Sequence, residues 1–452
     1  TVLEPPPAAA SLKPQETLRV AAPAADLHEP KLWHFDHPHL YRLEVEIEGH
    51  RYSTTFGIRS IEVRGEGFYL NGERVWLMGV ERMAGSHPEY GMAEPTSWLQ
   101  HDHDDLKELN CVFTRVHWPQ DRRVLDYCDR HGILIQTEIP TWGGQTFAGM
   151  RDEPSHAILE NGLEQLREMI QRDRNHPCIF SWGLCNEING QNPPAYQFAR
   201  RMAEEARKLD PGRLRSYASN SLQKTPERDV AGLMDFIEWN EYYETWYRGT
   251  PEDMRRNLEQ IQRAFPGKPI VISEYGYCAC TAERKEGDQR RIEILREHDR
   301  IFRENSAVAG LIFFCYNDYR THVGDKGSGV LKQRVHGVVD LYGGRKPSFE
   351  VLRRESSPIA ALEVKRHPGS YAVTVQARSG VPAYPVEGYF VRAVLYGAGQ
   401  IPLEQAEAKL PRLAPGESAE VLLPLQEPHP VLVRFDIVRP TGFSALSEIW
   451  KP

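Results

Sequence analysis

The sequence predicts an α/β protein: a (β/α)8 TIM barrel flanked by β-sandwich (immunoglobulin-like) segments. Three observations predict it. Short apolar strands alternate with amphipathic helices across residues 66–356. On either side of that stretch the pattern switches to period-two alternation punctuated by Gly and Pro. No Gly-rich phosphate loop follows the first strand of the central stretch, which argues against a doubly wound sheet.

Taken in order, residues 1–30 carry PPPAAA and other Ala/Pro-rich pieces, the composition of a linker or partial domain. Residues 31–65 include LYRLEVEIEGHRYSTTFGIRSIEV, which alternates around a Glu-Gly-His turn and predicts a β-hairpin, the last strands of an immunoglobulin-like sandwich. The barrel of residues 66–356 draws its strands from VWLMGV (75–80), CVFTRV (111–116), ILIQTE (133–138), CIFSWGL (178–184), LRSYA (214–218), DFIEWN (235–240), PIVIS (269–273) and GLIFFCY (310–316). Between them lie helical stretches such as QDRRVLDYCDRHG and PEDMRRNLEQIQRAF. After KPSFEVLRRESSP the helices stop. YAVTVQA, YFVRAVLY, AEVLLPL and VLVRFDIV then predict a small β-sandwich over residues 357–452.

Composition narrows the function classes. With 452 residues, 40% hydrophobic and 26% charged, the chain has the make-up of a multidomain globular protein. A net charge of −8 gives no reason to expect nucleic acid or an anionic membrane as partner. No apolar run is long enough to cross a membrane. The chain opens on Thr1 rather than Met, which predicts a processed or truncated start. No signal peptide is apparent, so periplasmic, secreted and cytoplasmic locations stay open, as does a homo-oligomer. The seven cysteines sit in apolar segments and read as buried thiols rather than a disulfide frame. Cys278-Ala-Cys280 lacks the second pair that a structural zinc would need, and neither a metal nor a cofactor is expected. HDHDD at 101–105 reads as the solvated face of a helix start, where acids favour the dipole.

In such a barrel the chemistry sits at the C-terminal ends of the strands. Those ends read Glu81-Arg82, Arg115-Val-His117, Glu138, Asn186-Glu187, Asn240 with Tyr242 and Tyr243, Glu274-Tyr275, and Asn317-Asp318. They hold carboxylates and their partners, without a Ser-His-Asp set. Glu187 closes the fourth strand and Glu274 the seventh, so they face each other across the barrel mouth. Two opposed carboxylates, one protonated and one ionised, are what glycosidic bond cleavage requires; a separation of about 5 Å suits a retaining route.

The motifs resemble glycoside hydrolase family 2, which contains β-galactosidases, β-glucuronidases and β-mannosidases. RDRNHPCIFSWGLCNE is similar to the family's acid/base signature, KPIVISEYG to its nucleophile strand, and NEYYETWY to the segment before that strand. FGIRSIEV followed by FYLNGERVWLMGV is similar to the junction from the family's immunoglobulin-like domain into its barrel. The resemblance implies that Glu187 is the general acid/base and Glu274 the nucleophile. It implies that Asn186 holds the sugar's 2-hydroxyl, Tyr242 hydrogen-bonds the nucleophile, Arg115 keeps Glu274 ionised and His117 lines the pocket. Glu81, Trp142, Phe314 and Arg334 complete the candidate substrate-binding set.

Departures from the family pattern fall in the specificity shell. Glu81-Arg82-Met83 stands where Asn-Arg-His or Asn-Lys-His is common. Phe314 stands where a Trp platform is usual, and Arg334-Val-His336 replaces the Asn-x-Lys pair of glucuronidases. The family's N-terminal sugar-binding-type β-domain is not apparent. The expectation is a retaining exo-β-glycosidase acting on a carbohydrate, β-galactosides first and uronides second. The competing expectations are an endo-glycanase on the same scaffold and an inactive carbohydrate-binding protein.

Overall fold

The computed structural model describes residues 9–21, 25–279, 286–321, 333–426 and 429–451, together with residues 4 and 7. At its centre are eight parallel strands: β1 (Leu77–Glu81), β2 (Phe113–Arg115), β3 (Leu134–Glu138), β4 (Ile179–Asn186), β5 (Leu214–Ser219), β6 (Ile237–Asn240), β7 (Ile270–Tyr275) and β8 (Val308–Phe314). Neighbours pair in ring order from β2 through β8 and on to β1. Val112 N donates to Met78 O at 3.1 Å, and Thr114 Oγ1 to Val80 O at 2.7 Å, closing the seam between β1 and β2. Gly79 permits that closure: a Cβ there would lie 1.8 Å from Phe113 O. The strands are buried almost throughout, which is why they read as apolar runs rather than alternating ones.

Among the described residues seven α-helices wrap the barrel: α1 (Thr96–Glu108), α2 (Arg122–His131), α3 (His156–Asp173), α4 (Pro193–Leu209), α5 (Pro251–Ala264), α6 (Gly287–Glu304) and α7 (Pro347–Glu355). Their starts follow capping chemistry. Asp121 and Ser155 accept from backbone amides of α2 and α3, and Thr250 with Asp253 forms a capping box on α5. The expected strand–helix alternation lapses once. Between β5 and β6, SLQKTPERDVAGLM carries Pro226 and closely spaced polar residues, and it forms two 3-10 turns, Pro226–Arg228 and Val230–Leu233. The first strand also starts later than expected, at Leu77, because Trp76 is spent on an antiparallel bridge to Ala383.

The hairpin Tyr41–Ile47/His50–Phe56 turns on Glu48 and Gly49, both at positive φ, as a two-residue hairpin turn requires. Arg59 then donates to Pro177 O and Ile179 O, fastening this segment to the start of β4. A short sheet, Ile61–Arg64, Gly67–Leu70 and Glu73–Val75, follows. Its Phe68 meets Phe180 and Phe236 edge-on and plugs the floor of the barrel. Beyond α7, a three-stranded and a four-stranded antiparallel sheet enclose a second apolar core that includes Tyr371, Val391, Leu423 and Phe435. Buried Arg439 joins this sandwich to the rest. It pairs with Asp36 at 2.9 Å and donates to Asn110 Oδ1, Tyr384 and Tyr389.

Two sequence expectations are corrected. HDHDD is not a solvated face: Asp102, His103 and Asp105 are buried, because Arg82 and Tyr316 from the barrel need their acceptors. Among the cysteines, Cys111, Cys128, Cys178, Cys185 and Cys315 are buried thiols, but Cys278 is disulfide-bonded; Cys280 lies outside the described residues.

Candidate active site

The strand ends converge on a cavity of about 590 Å³ at the C-terminal mouth of the barrel. Glu187, Asn186, Glu274, His117 and Tyr242 line it, and Trp142, Phe314 and Arg334 stand in its wall. Glu81 and Arg115 do not line it. They lie behind the wall, 1% and 0% exposed, and act through the residues in front of them.

Glu274, near the end of β7, is gripped on both carboxylate oxygens. Arg115 donates Nη1–H to Oε1 at 2.9 Å, His117 Nε2 lies 3.3 Å from the same oxygen, and Tyr242 donates to Oε2 at 2.7 Å. Burial alone would push this carboxyl up. His117, Arg115 and the Tyr242 hydroxyl outweigh it and hold the group at about 2. The Tyr242 hydroxyl is itself pushed up by burial and by the Glu274 charge, so it stays a donor.

Glu187 follows the last residue of β4 at φ 53, a left-handed conformation that a non-glycine residue adopts at a cost. Its amide donates to Ala218 O at 2.8 Å on β5, which fixes the turn. Burial first, and then the negative charge of Glu274, raise its carboxyl above the ordinary value. Asn240 donates Nδ2–H to Glu187 Oε1 at 3.0 Å, and Ser273 pins the Asn240 amide by donating to its Oδ1 at 2.8 Å.

Asn186 accepts on Oδ1 from Arg115 Nη2 at 2.8 Å and from Asn240 Nδ2 at 3.1 Å. Both lone pairs of Oδ1 are used, so what Asn186 offers the cavity is its Nδ2–H. Arg115 is the common anchor. Besides Glu274 and Asn186 it holds Glu138 through Nε at 3.1 Å and lies 3.4 Å from Glu81. Deeper in the barrel Glu238 accepts from Gln136, and burial pushes its carboxyl up to about 7.

The cavity also uses residues that the strand ends do not name. Trp246 and Tyr247 come from the loop after β6, Tyr319 and His336 from the segment after β8, and Trp118 and Asn220 from the mouths of β2 and β5. Tyr319–Arg320 pairs with Gln333–Arg334 in a small antiparallel ribbon, which carries Arg334 Nη1 to within 2.9 Å of the Tyr319 hydroxyl. The aromatic density of NEYYETWY and the Arg334-Val-His336 departure are the sequence signals that point to this wall. Glu81, His117 and Glu274 have atoms close enough to hold a cation, as do Asp129, His176 and Cys178. Both groups are instead knit by internal hydrogen bonds, and Arg115 already supplies the positive charge beside Glu274.

The profile of the glycosyl hydrolases family 2 TIM barrel domain matches residues 61–292, and that of glycosyl hydrolases family 2 matches residues 7–59. The chain belongs to glycosyl hydrolases family 2. Proteins similar to it include a β-galactosidase of Thermoanaerobacterium thermosulfurigenes, 29% identical over 94% of this chain and 56% of its own length. A β-galactosidase of Thermoanaerobacter pseudethanolicus is 32% identical over 74% of this chain and 42% of its own length. The chain thus spans about half the length of these curated relatives. Among solved structures, a family 2 β-galacturonidase from Eisenbergiella tayi bound to galacturonate is 25% identical, with a TM-score of 0.65 over 74% of this chain and 60% of that one.

Proposed function

We propose that the chain carries the catalytic barrel of a retaining exo-β-glycosidase. The observation that carries this reading is the contrast in surroundings between two glutamates facing one cavity: Arg115, His117 and Tyr242 converge on Glu274, while half-buried Glu187 meets only the Asn240 amide and the charge of Glu274. Glu274, held low by its partners, can attack the anomeric carbon, while Glu187, whose carboxyl is raised by burial and by Glu274, is the better placed to give a proton to the departing oxygen. The Glu274–carbon bond forms as the carbon–oxygen bond breaks, and Glu187 is left as a carboxylate. It then takes a proton from the water that cleaves the glycosyl ester. Asn186 offers its Nδ2–H to the sugar, and the aromatic wall supplies apolar surface for the ring faces.

A neutral β-galactoside is the favoured substrate, supported by the two β-galactosidases named above. A second reading, a β-uronide, is supported by Arg334 and Arg320 in the cavity wall, since guanidinium groups bind carboxylates. The 25% likeness to a galacturonate-bound enzyme points the same way. Both readings are tested by comparing nitrophenyl β-galactoside and β-glucuronide on wild type and Arg334→Ala. Preference for the uronide that vanishes selectively in the variant would reverse the order. The mechanism is tested by Glu274→Gln. Turnover should fall by several orders of magnitude, on the order of 10⁴-fold or more, with the thermal midpoint retained. Substantial residual turnover in purified protein would sink the assignment of the nucleophile.

A further inference from the structure

Glu81, the last residue of β1, is buried behind the cavity wall with two cationic groups against it. His117 Nδ1 makes a short contact with Oε1, and Arg115 Nη1 lies 3.4 Å from Oε2. The other edge of the same imidazole puts Nε2 3.3 Å from Glu274 Oε1. A carboxylate, an imidazole and a second carboxylate therefore stand in line, and the second is the proposed nucleophile.

We infer that Glu81 is a positioning residue of the proposed reaction: it fixes His117 as an imidazolium whose Nε2–H faces Glu274, and it preserves that charge when Glu274 becomes a neutral ester. The inference rests on Glu274 being the nucleophile. The charges facing His117 are Glu81 from β1, Arg115 from β2, Glu274 from β7 and Glu187 from the end of β4. From β8 it meets the uncharged ring of Phe314, at 6.0 Å.

The two halves of the reaction make different demands on this ring. In the free enzyme the imidazolium has two carboxylates beside it against one guanidinium. On glycosylation the bond from Glu274 to the anomeric carbon forms, the leaving oxygen departs with the Glu187 proton, and the negative charge passes to Glu187. His117 then loses the anion at its Nε2 while Arg115 remains. Without Glu81 the ring would face the guanidinium with no carboxylate in contact, in a half-buried place where loss of solvent disfavours charge. With Glu81 it keeps a contacting anion throughout, and the proton count of the ring does not change during turnover. Burial does push the His117 ring down, but Glu81 leads the charges that reverse this and carry it to about 10. Burial also pushes Glu81 up, against the pull of His117 and Arg115; the imidazole is the stronger base of the pair and holds the proton.

The test is nitrogen NMR of histidine-labelled wild type, Glu81→Gln and Glu81→Asp. It is run on free protein and after trapping with a 2-deoxy-2-fluoro-β-galactosyl fluoride, whose leaving fluoride needs no proton. In the wild type both ring nitrogens of His117 should stay protonated through pH ~9, before and after trapping. In Glu81→Gln the ring should titrate about two pH units or more lower, and trapping should release its proton. In that variant kcat/KM should gain a descending limb at the same pH, about tenfold down at pH ~9 and near wild type at pH ~5. Glu81→Asp should restore much of the titration. A neutral His117 in the wild type at pH ~7, or an unchanged titration in Glu81→Gln, overturns the inference. If Glu81→Gln fails to fold, Glu81→Asn and the wild-type titration decide it. Failure of the glycosidase reading is visible separately, as a wild type that neither turns over nor is trapped by any glycoside, while the free-protein titration still judges Glu81.

Discussion

At the scale of single residues, the distinction between Glu187 and Glu274 lies in what surrounds each carboxylate. Glu274 has a guanidinium, an imidazole and a phenol turned toward it; Glu187 has one amide. That asymmetry predicts how Glu187→Ala should fail. Loss of the proton donor should slow glycosides with poor leaving groups by orders of magnitude, about 10²-fold or more, while activated aryl glycosides lose far less in the first step. Azide should then speed breakdown of the intermediate, because it needs no general base, and a β-glycosyl azide should be the product. Equal losses on good and poor leaving groups, with no response to azide, would assign Glu187 another role. The pH dependence has a definite sign. Glu274 loses its charge only near its value of about 2, so the acid side stays active well below the usual carboxylate range. Glu187, raised by burial and by Glu274, sets the alkaline side, where activity falls as its proton is lost.

At the scale of elements, the helix α1 shows how far the sequence could be read. Leu99, Asp102, His103 and Leu106 follow the spacing of an apolar stripe, yet two of the four are polar. Charge alone suggested a solvated face; the spacing was the better guide. Asp102 accepts Arg82 Nε at 2.7 Å, and Glu94 takes Arg82 Nη2 at 2.6 Å, so the residue after Glu81 is clamped by two buried carboxylates. Burial would lower the Arg82 pKa, and Asp102 and Glu94 outweigh it. Asp102→Ala should therefore cost about 3 kcal/mol of stability, since it leaves a buried guanidinium half-compensated. An unchanged denaturant midpoint would show that the clamp is idle. The barrel strands and their terminal residues were legible because a parallel strand buried on both faces must be apolar until it ends. The wall formed by Trp246, Tyr247, Tyr319 and His336 was legible only in part, as the aromatic run NEYYETWY and the Arg334-Val-His336 departure; Tyr319 was not, because a residue beyond a strand end takes its position from contacts distant in sequence. The same holds for the 3-10 turns between β5 and β6, where the helix that the alternation implied is missing.

At the scale of the whole molecule, one buried arginine ties three parts of the chain together. Arg439 belongs to the turn after Leu432–Val438 of the C-terminal sandwich, Asp36 to the segment before the hairpin, and Asn110 to the end of α1 beside the barrel seam. Tyr389 completes the ring by donating to Asp36 Oδ2 at 2.8 Å. Burial pushes the Asp36 carboxyl up; Arg439 leads the groups that reverse this and hold it below its ordinary value. Such a group contributes stability that is present above the unfolded carboxylate pKa of about 4 and is lost as pH falls through the depressed folded value. Arg439→Met inverts the relation. Asp36 would then be a buried acid without its cation, its folded pKa raised above the unfolded one, and protonation would favour the folded state. The variant should lose about 3–5 kcal/mol near neutral pH. The deficit relative to wild type should shrink as pH falls from ~7 toward ~4, because acid removes the uncompensated charge. Adding Asp36→Asn to Arg439→Met should recover part of the neutral-pH loss and flatten its pH dependence, which separates the charge effect from lost packing. At temperatures where the variant is folded, turnover should be that of the wild type, since the ring touches none of the groups that face the cavity. A deficit that is the same at pH ~5 and pH ~8 would mean that Arg439 acts by shape rather than by charge.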